Sequence, residues 1–279
     1  MPKTTLPSRL YKYQPFNAYT LANLKQASIW FSAPINFNDP YDCALSIVDP
    51  DKLTDSDVKR ALDYFVQRQP MSPKLKADMC PDGVPTPAFR EELVNSVRRV
   101  YDERRTIQLE QRGVACFSEH CMDITMWSHY ADGHRGFCLE FDTSRLPFTE
   151  ARQVCYSESV PSINPVDVLV EDHSNAEDDE LLWAFVLTKA QCWSYEREWR
   201  LMHAEASKLY GYGDHALTGV YFGTAMPDAH KEIICLVMRD APIQFHEVLR
   251  DDRSFSLHSR AVTYTPYVYQ ARKPADSGT

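Results

Sequence analysis

Glycine is scarce, at 9 of 279 residues, and neither GxGxxG nor GxxxxGK[ST] occurs. Those glycines let a backbone approach phosphates closely, so Rossmann-type and P-loop nucleotide cradles are excluded. No run of about 18 apolar residues exists, so no segment reads as a spanning helix and no membrane partner is expected. The opening residues, Met1-Pro2-Lys3-Thr4-Thr5-Leu6-Pro7, have no apolar stretch and do not read as an export signal. Positive charge is not in excess: 30 Lys+Arg stand against 39 Asp+Glu, a net charge of -9. That excludes a globally basic nucleic-acid coat, although not a local groove. None of the 8 cysteines forms a CxxC pair. A cytoplasmic, reducing compartment is therefore expected, with the cysteines as small buried hydrophobes. His120-Cys121 could supply two zinc ligands, but no second pair at finger spacing follows, and no metal is expected.

What is present is ordinary globular material, 44% hydrophobic and 25% charged. Leu10-Tyr11-Lys12-Tyr13 and Ser28–Ala33 read as strands, separated by a helix over 17–26 with Thr20 as its N-cap. The segment from Asn36 to Asp42 reads as a turn-rich loop. Helices are expected over 55–68, with Val58, Leu62 and Phe65 on one face, and over 88–111, with Leu93, Val97, Val100 and Ile107. A proline-rich connector over 70–87 joins them. The arginines 98, 99, 104, 105 and 112 read as a solvated face balanced by nearby acids. Strands then follow over 114–118, 136–142, 154–157, 198–203, 219–223, 243–249 and 255–264. Helices are expected over 124–131, 180–193 and 227–239, the second of them after an acidic linker over 167–179. The alternation is neither regular βαβ nor all-β, so the class is α+β. One domain over 1–272, with a helical insertion at about 54–111 and a disordered tail over 273–279, is the expected organisation.

Three clusters mix aromatic, charged and small polar residues. They are Tyr11-Lys12-Tyr13, Phe117-Ser118 with Trp127-Ser128-His129-Tyr130, and Trp193 to Arg200 (WSYEREWR). Each has an ordinary structural reading. Tyr and Trp are commonly half-buried with one wet polar tip, and a Glu-Arg-Glu-Trp-Arg string suits one face of a salt-bridged strand.

Taken in order, the strings LYKYQPF (10–16), SIWFSAPINFNDPYD (28–42), VACFSEHCMDITMWSHYADGHRGFCLEFD (114–142) and WSYEREWRL (193–201) resemble a bacterial family of domains of unknown function, DUF2971. The order of elements also resembles the ADP-ribosyltransferase fold, which implies a split β-sheet core. In that resemblance Lys12 stands where an Arg or His usually holds the dinucleotide. Phe117-Ser118 begins the serine motif, with Glu119 and His120 in place of its remainder. Glu196-Arg197-Glu198 fits the E-x-E motif that opens a late strand.

The resemblance implies an NAD-consuming transferase or glycohydrolase of the kind used as toxins or phage-defence effectors. NAD would be the substrate, and the acceptor protein, nucleic acid or water. Glu198 would stabilise the oxocarbenium-like centre, and Glu196 would face the acceptor. Lys12 and Tyr13, Ser118, and Trp127, His129 and Tyr130 would contact the cofactor. Two other functions compete. One is a non-catalytic protein of the same fold that binds a nucleotide or a partner. The other is a metal-dependent nuclease drawing on Asp39, Asp42, Glu140, Asp142, Glu196 and Glu198, although no D…ExK pattern is present.

Overall fold

The computed structural model describes residues 5–44, 46–49, 52–68, 72–81, 84–170, 183–184 and 186–265. The strands, in chain order, are β1 (Arg9–Gln14), β2 (Ser28–Phe31), β3 (Ser46–Ile47), β4 (Gly113–Ser118), β5 (Phe137–Asp142), β6 (Arg152–Gln153) and β7 (Cys155–Ser157). They continue with β8 (Ser162–Ile163), β9 (Thr188–Ala190), β10 (Glu198–His203), β11 (Lys208–Gly211), β12 (Leu217–Phe222), β13 (Gln244–Arg250) and β14 (Leu257–Val262). The helices are α1 (Ala18–Lys25), α2 (Asp55–Arg68), α3 (Pro73–Met79), α4 (Pro87–Thr106), α5 (Ile124–Tyr130), α6 (Pro165–Val170) and α7 (Asp228–Val237). Helices and a mixed sheet together give the α+β class. The chain divides into two compact units, residues 1–29, 117–150 and 210–279, and residues 30–116 and 151–209.

The first unit is built on strands in the order β14-β13-β12-β5-β1, and Tyr11 of β1 also pairs with Ser118. β12 and β13 run parallel, which requires a crossover, and α7 lies between them in sequence. The other pairs are antiparallel. Strict alternation in β5 sets the two faces. Phe137, Leu139 and Phe141 turn one way, and Phe141 stacks on Phe148 at 4.5 Å between centroids while Phe117 meets both edge-on. Cys138, Glu140 and Asp142 turn the other way. There Glu140 accepts hydrogen bonds from Thr218 (2.6 Å), Tyr221 (2.7 Å) and Tyr11 (3.3 Å). Gly136 is required before β5, because a Cβ there would overlap the Gln14 carbonyl oxygen.

The N-cap of α1 is Asn17 and not Thr20. The Asn17 side chain accepts from the Thr20 N–H (2.9 Å) while Thr20 Oγ1 accepts from the Asn17 N–H (3.1 Å), a reciprocal capping box.

The second unit holds the order β4-β10-β6 and two short parallel pairs, β3-β8 and β7-β9. Its helical part buries Val58 and Leu62 of α2 with Leu93 and Val97 of α4 and Val166 of α6. Phe65 and Val100 pack against that core, but Ile107 is 40% exposed. The stripe drifts because the last turn, Ile107–Gln111, widens into a π-helix.

The expected helix over 180–193 is corrected in its second half. Residues 183, 184 and 186 are helical, residues 180–182 and 185 lie outside the described residues, Thr188–Ala190 is a strand paired in parallel with β7, and Gln191–Glu196 is a 3₁₀ turn. The first part of the expected acidic linker belongs to α6, and its remainder, 171–179, lies outside the described residues. The same holds for positions 70, 71, 82 and 83 of the proline-rich connector, within which α3 forms, and for the tail over 273–279. All 8 cysteines are free; Cys43, Cys121, Cys138 and Cys235 are buried, whereas Cys155 and Cys192 are exposed, against the uniform burial expected. No helix among the described residues is long and apolar enough to cross a membrane.

Candidate functional site

Five charged side chains meet inside the second unit. Strand alternation puts Glu198 and Arg200 on the same side of β10, with Glu198 3% and Arg200 0% exposed. The guanidinium grips Glu198 in a fork, Nε to Oε1 at 2.7 Å and Nη2 to Oε2 at 2.9 Å. Arg200 also reaches Asp42 at 2.7 Å, and it donates to the Val186 carbonyl at 2.5 Å and to Cys43 Sγ at 3.3 Å. The Lys189 ammonium completes the cluster, at 2.5 Å from Glu196, 3.1 Å from Glu198 and 3.3 Å from Asp42.

Local geometry explains why these groups converge. The 3₁₀ turn ends on Arg197 in the left-handed region (φ 44°), so Glu196 and Glu198 both turn inward while Arg197 stays exposed. Asp39-Pro40-Tyr41-Asp42 forms a turn in which Asp39 Oδ1 accepts from the Tyr41 N–H at 2.9 Å and the Asp42 N–H bonds back to the Asp39 carbonyl at 3.0 Å. Cys43 then takes a positive φ of 56°. The Glu198 N–H donates to the Tyr156 hydroxyl at 2.8 Å, which ties the start of β10 to β7.

Burial alone would raise the Glu198 pKa, but the Arg200 and Lys189 charges outweigh it and hold the carboxyl well below its ordinary 4.5. Burial alone would discharge Lys189, but Glu198, Asp42 and Glu196 hold its pKa above 10.5. Glu198 contributes stability fully present above about pH 4.5 and lost as pH falls below that through its folded value. Lys189 contributes stability fully present below about pH 10.5 and lost as pH rises through its higher folded value. The share of the urea-unfolding midpoint due to Glu198 and Lys189 should therefore stay flat from pH 6 to pH 9, and the Glu198 share should be lost below pH 4.5. In Glu198→Gln the part of the acid-side slope due to this residue should vanish. An unchanged slope in that variant would contradict the assignment.

The residues expected at a cofactor site divide between the units. Glu196 and Glu198 lie in the second. Lys12, Tyr13, Ser118, Trp127, His129 and Tyr130 lie in the first. Lys12 sits 5.1 Å from the Phe117 ring centroid. The Tyr13 hydroxyl donates to the His120 carbonyl (2.8 Å), and Ser118 Oγ accepts from the His120 N–H (3.2 Å). Trp127 is fully buried, donates from Nε1 to the Cys121 carbonyl (2.7 Å) and meets Tyr13 edge-on. His129 is exposed and Tyr130 half-buried, their rings edge to face. Lys189 and Arg200 are not among the expected site residues, and Asp42 is expected only as a carboxylate of the nuclease reading. Arg200 is signalled by the Glu-Arg-Glu-Trp-Arg alternation. Lys189 carried no signal. Among the described residues no group of three or more His, Cys, Asp and Glu is placed to hold a metal ion.

Fold and cluster together define an α+β protein whose second unit buries an ion cluster of Asp42, Glu196 and Glu198 with Lys189 and Arg200. Residues 126–201 match the model of a family described as a protein of unknown function (DUF2971). The match agrees with the resemblance read from the motifs over a span that runs from α5 into β10 and takes in Lys189, Glu196, Glu198 and Arg200. No curated protein and no solved structure matches the chain.

Proposed function

We propose that the chain is a non-catalytic binding protein that recognises a nucleotide or a partner in the cytoplasm. The observation that carries this reading is the state of the Glu196-Arg197-Glu198 carboxylates. Both are 3% exposed, and both Glu198 oxygens already accept charged hydrogen bonds. A carboxylate that stabilises an oxocarbenium-like centre must turn an oxygen toward the ribose. Here cations hold it beforehand.

A second reading, an NAD-consuming ADP-ribosyltransferase-like enzyme acting as toxin or defence effector on protein or nucleic acid, is favoured by one feature. The Glu-x-Glu pair does open a strand, and its second carboxylate is held ionised. NAD consumption by the purified chain separates the two, with and without nucleic acid or cell lysate. The binding reading expects no loss of NAD above background. The enzymatic reading expects turnover that falls about 10²–10³-fold in Glu198→Gln, with Lys12→Ala weakening NAD affinity instead. Turnover with that pattern would overturn the binding reading.

A further inference from the structure

A cavity of about 230 Å³ lies within the second unit, between the Tyr41–Ala44 turn, residues 157–161 and β9. It admits one ring system, whereas pockets for larger ligands run to roughly 300–1,000 Å³. Ala44, Val160 and Pro161 give it apolar walls, and Tyr41 lines it with a ring that is 65% exposed. Among its lining residues only Lys189 and Glu158 are charged, one of each sign.

Those two charges are not equivalent. The Lys189 ammonium is buried and hydrogen-bonded to Glu196 (2.5 Å) and Glu198 (3.1 Å), so it is no anchor for a phosphate or a carboxylate. Glu158 is exposed in the bend after β7, where Ser157 Oγ donates to the Ser159 carbonyl (2.7 Å) and accepts from the Ser159 N–H (3.1 Å). An ionised carboxylate accepts hydrogen bonds only, at two oxygens side by side. A lining with one charge of each sign favours neither an anion nor a cation. What fits is a neutral flat ring with adjacent N–H donors on one edge and faces that stack on a tyrosine.

We propose that this cavity receives the guanine base of a mononucleotide. The proposal rests on the binding reading above and gives it a ligand. Guanine is uncharged, and its N1–H and N2 amino groups lie side by side, matching the two oxygens of Glu158. Adenine presents one amino donor beside an acceptor nitrogen, which a carboxylate repels. Tyr41 supplies the stacking face. Ribose and phosphate stay outside, which suits a chain with no glycine-rich phosphate cradle. The net charge of -9 disfavours a nucleic-acid strand as the source of the base.

Calorimetric titration of the full chain with guanosine, inosine and adenosine monophosphates, which differ only in the base, tests it. The guanosine compound should bind. The inosine compound, which lacks the N2 amino group, should bind about tenfold more weakly, and the adenosine compound not measurably. Glu158→Gln replaces one acceptor by a donor and should weaken guanosine binding at least about tenfold, while the melting temperature holds because Glu158 is exposed. Tyr41→Ala should weaken it about tenfold. Ala44→Leu, which narrows the cavity without altering charge, should abolish it. No binding of the guanosine compound, equal affinity for the guanosine and adenosine compounds, or unchanged affinity in folded Glu158→Gln or Ala44→Leu would each overturn the site. Tighter binding of N-acetyl-phenylalanine amide would assign the cavity to a protein side chain, and tighter binding of a single-stranded oligonucleotide with one guanine would assign it to a nucleic-acid strand. Either result overturns the mononucleotide. Failure here leaves recognition of a partner standing, whereas NAD turnover would overturn the binding reading without touching this titration.

Discussion

Arg200→Met should destabilise the second unit by about 3–5 kcal/mol, as expected when one member of a buried ion cluster is removed. Arg200 is fully buried, and its guanidinium serves Glu198, Asp42 and the Val186 carbonyl together. Methionine preserves most of the volume and removes every donor. Of the two cations, Asp42 and Glu198 then keep Lys189, which also holds Glu196. Arg200→Lys should lie between, because it keeps the charge and loses the fork. Adding Glu198→Gln to Arg200→Met should recover part of the loss, since one uncompensated carboxylate disappears. The double-mutant cycle by urea unfolding therefore gives a coupling energy of the same order as the single loss. A loss below about 1 kcal/mol in Arg200→Met would show the cluster to be solvated and the account wrong.

Much of this architecture is legible in the sequence because it is local. Phe137, Leu139 and Phe141 alternate with Cys138, Glu140 and Asp142, and a period of two has only one pleated solution. Val58 with Leu62, and Leu93 with Val97, carry the helical period through α2 and α4. The turn at Asp39-Pro40-Tyr41-Asp42 follows from its residue types.

What is not legible depends on distant partners. Lys189 falls in a stretch whose spacing suits a helix, yet Thr188–Ala190 pairs with Cys155–Ser157, a choice made by residues more than thirty positions away. Asp42 reads as a turn residue, and nothing local shows that Arg200, 158 positions on, will take its charge. The same limit governs the Glu-x-Glu motif. Its spacing predicts that both carboxylates share a side, and only the packed structure shows that the side faces inward.

Trp127→Ala should lower the stability of the first unit by about 3–5 kcal/mol, the usual consequence of emptying a large buried aromatic site. Trp127 is fully buried, closes edge-on against Tyr13 at 5.2 Å between centroids, and donates its indole N–H to the Cys121 carbonyl. Alanine leaves a void beneath α5 and takes the donor from that carbonyl. Trp127→Phe should cost less, because the ring still fills most of the space, and its residual deficit reports the lost hydrogen bond at about 1–3 kcal/mol. His129→Ala, two positions along the same short helix and exposed, should stay within about 0.5 kcal/mol of wild type. This ordering separates two roles for Trp127. A ring that stacks on a cofactor would leave unfolding unchanged when removed and would weaken ligand binding instead. A ring that closes the core moves the unfolding midpoint whether or not a ligand is present. Thermal and urea unfolding of the three variants without added nucleotide decide between them, and a wild-type midpoint for Trp127→Ala would return the residue to the cofactor site.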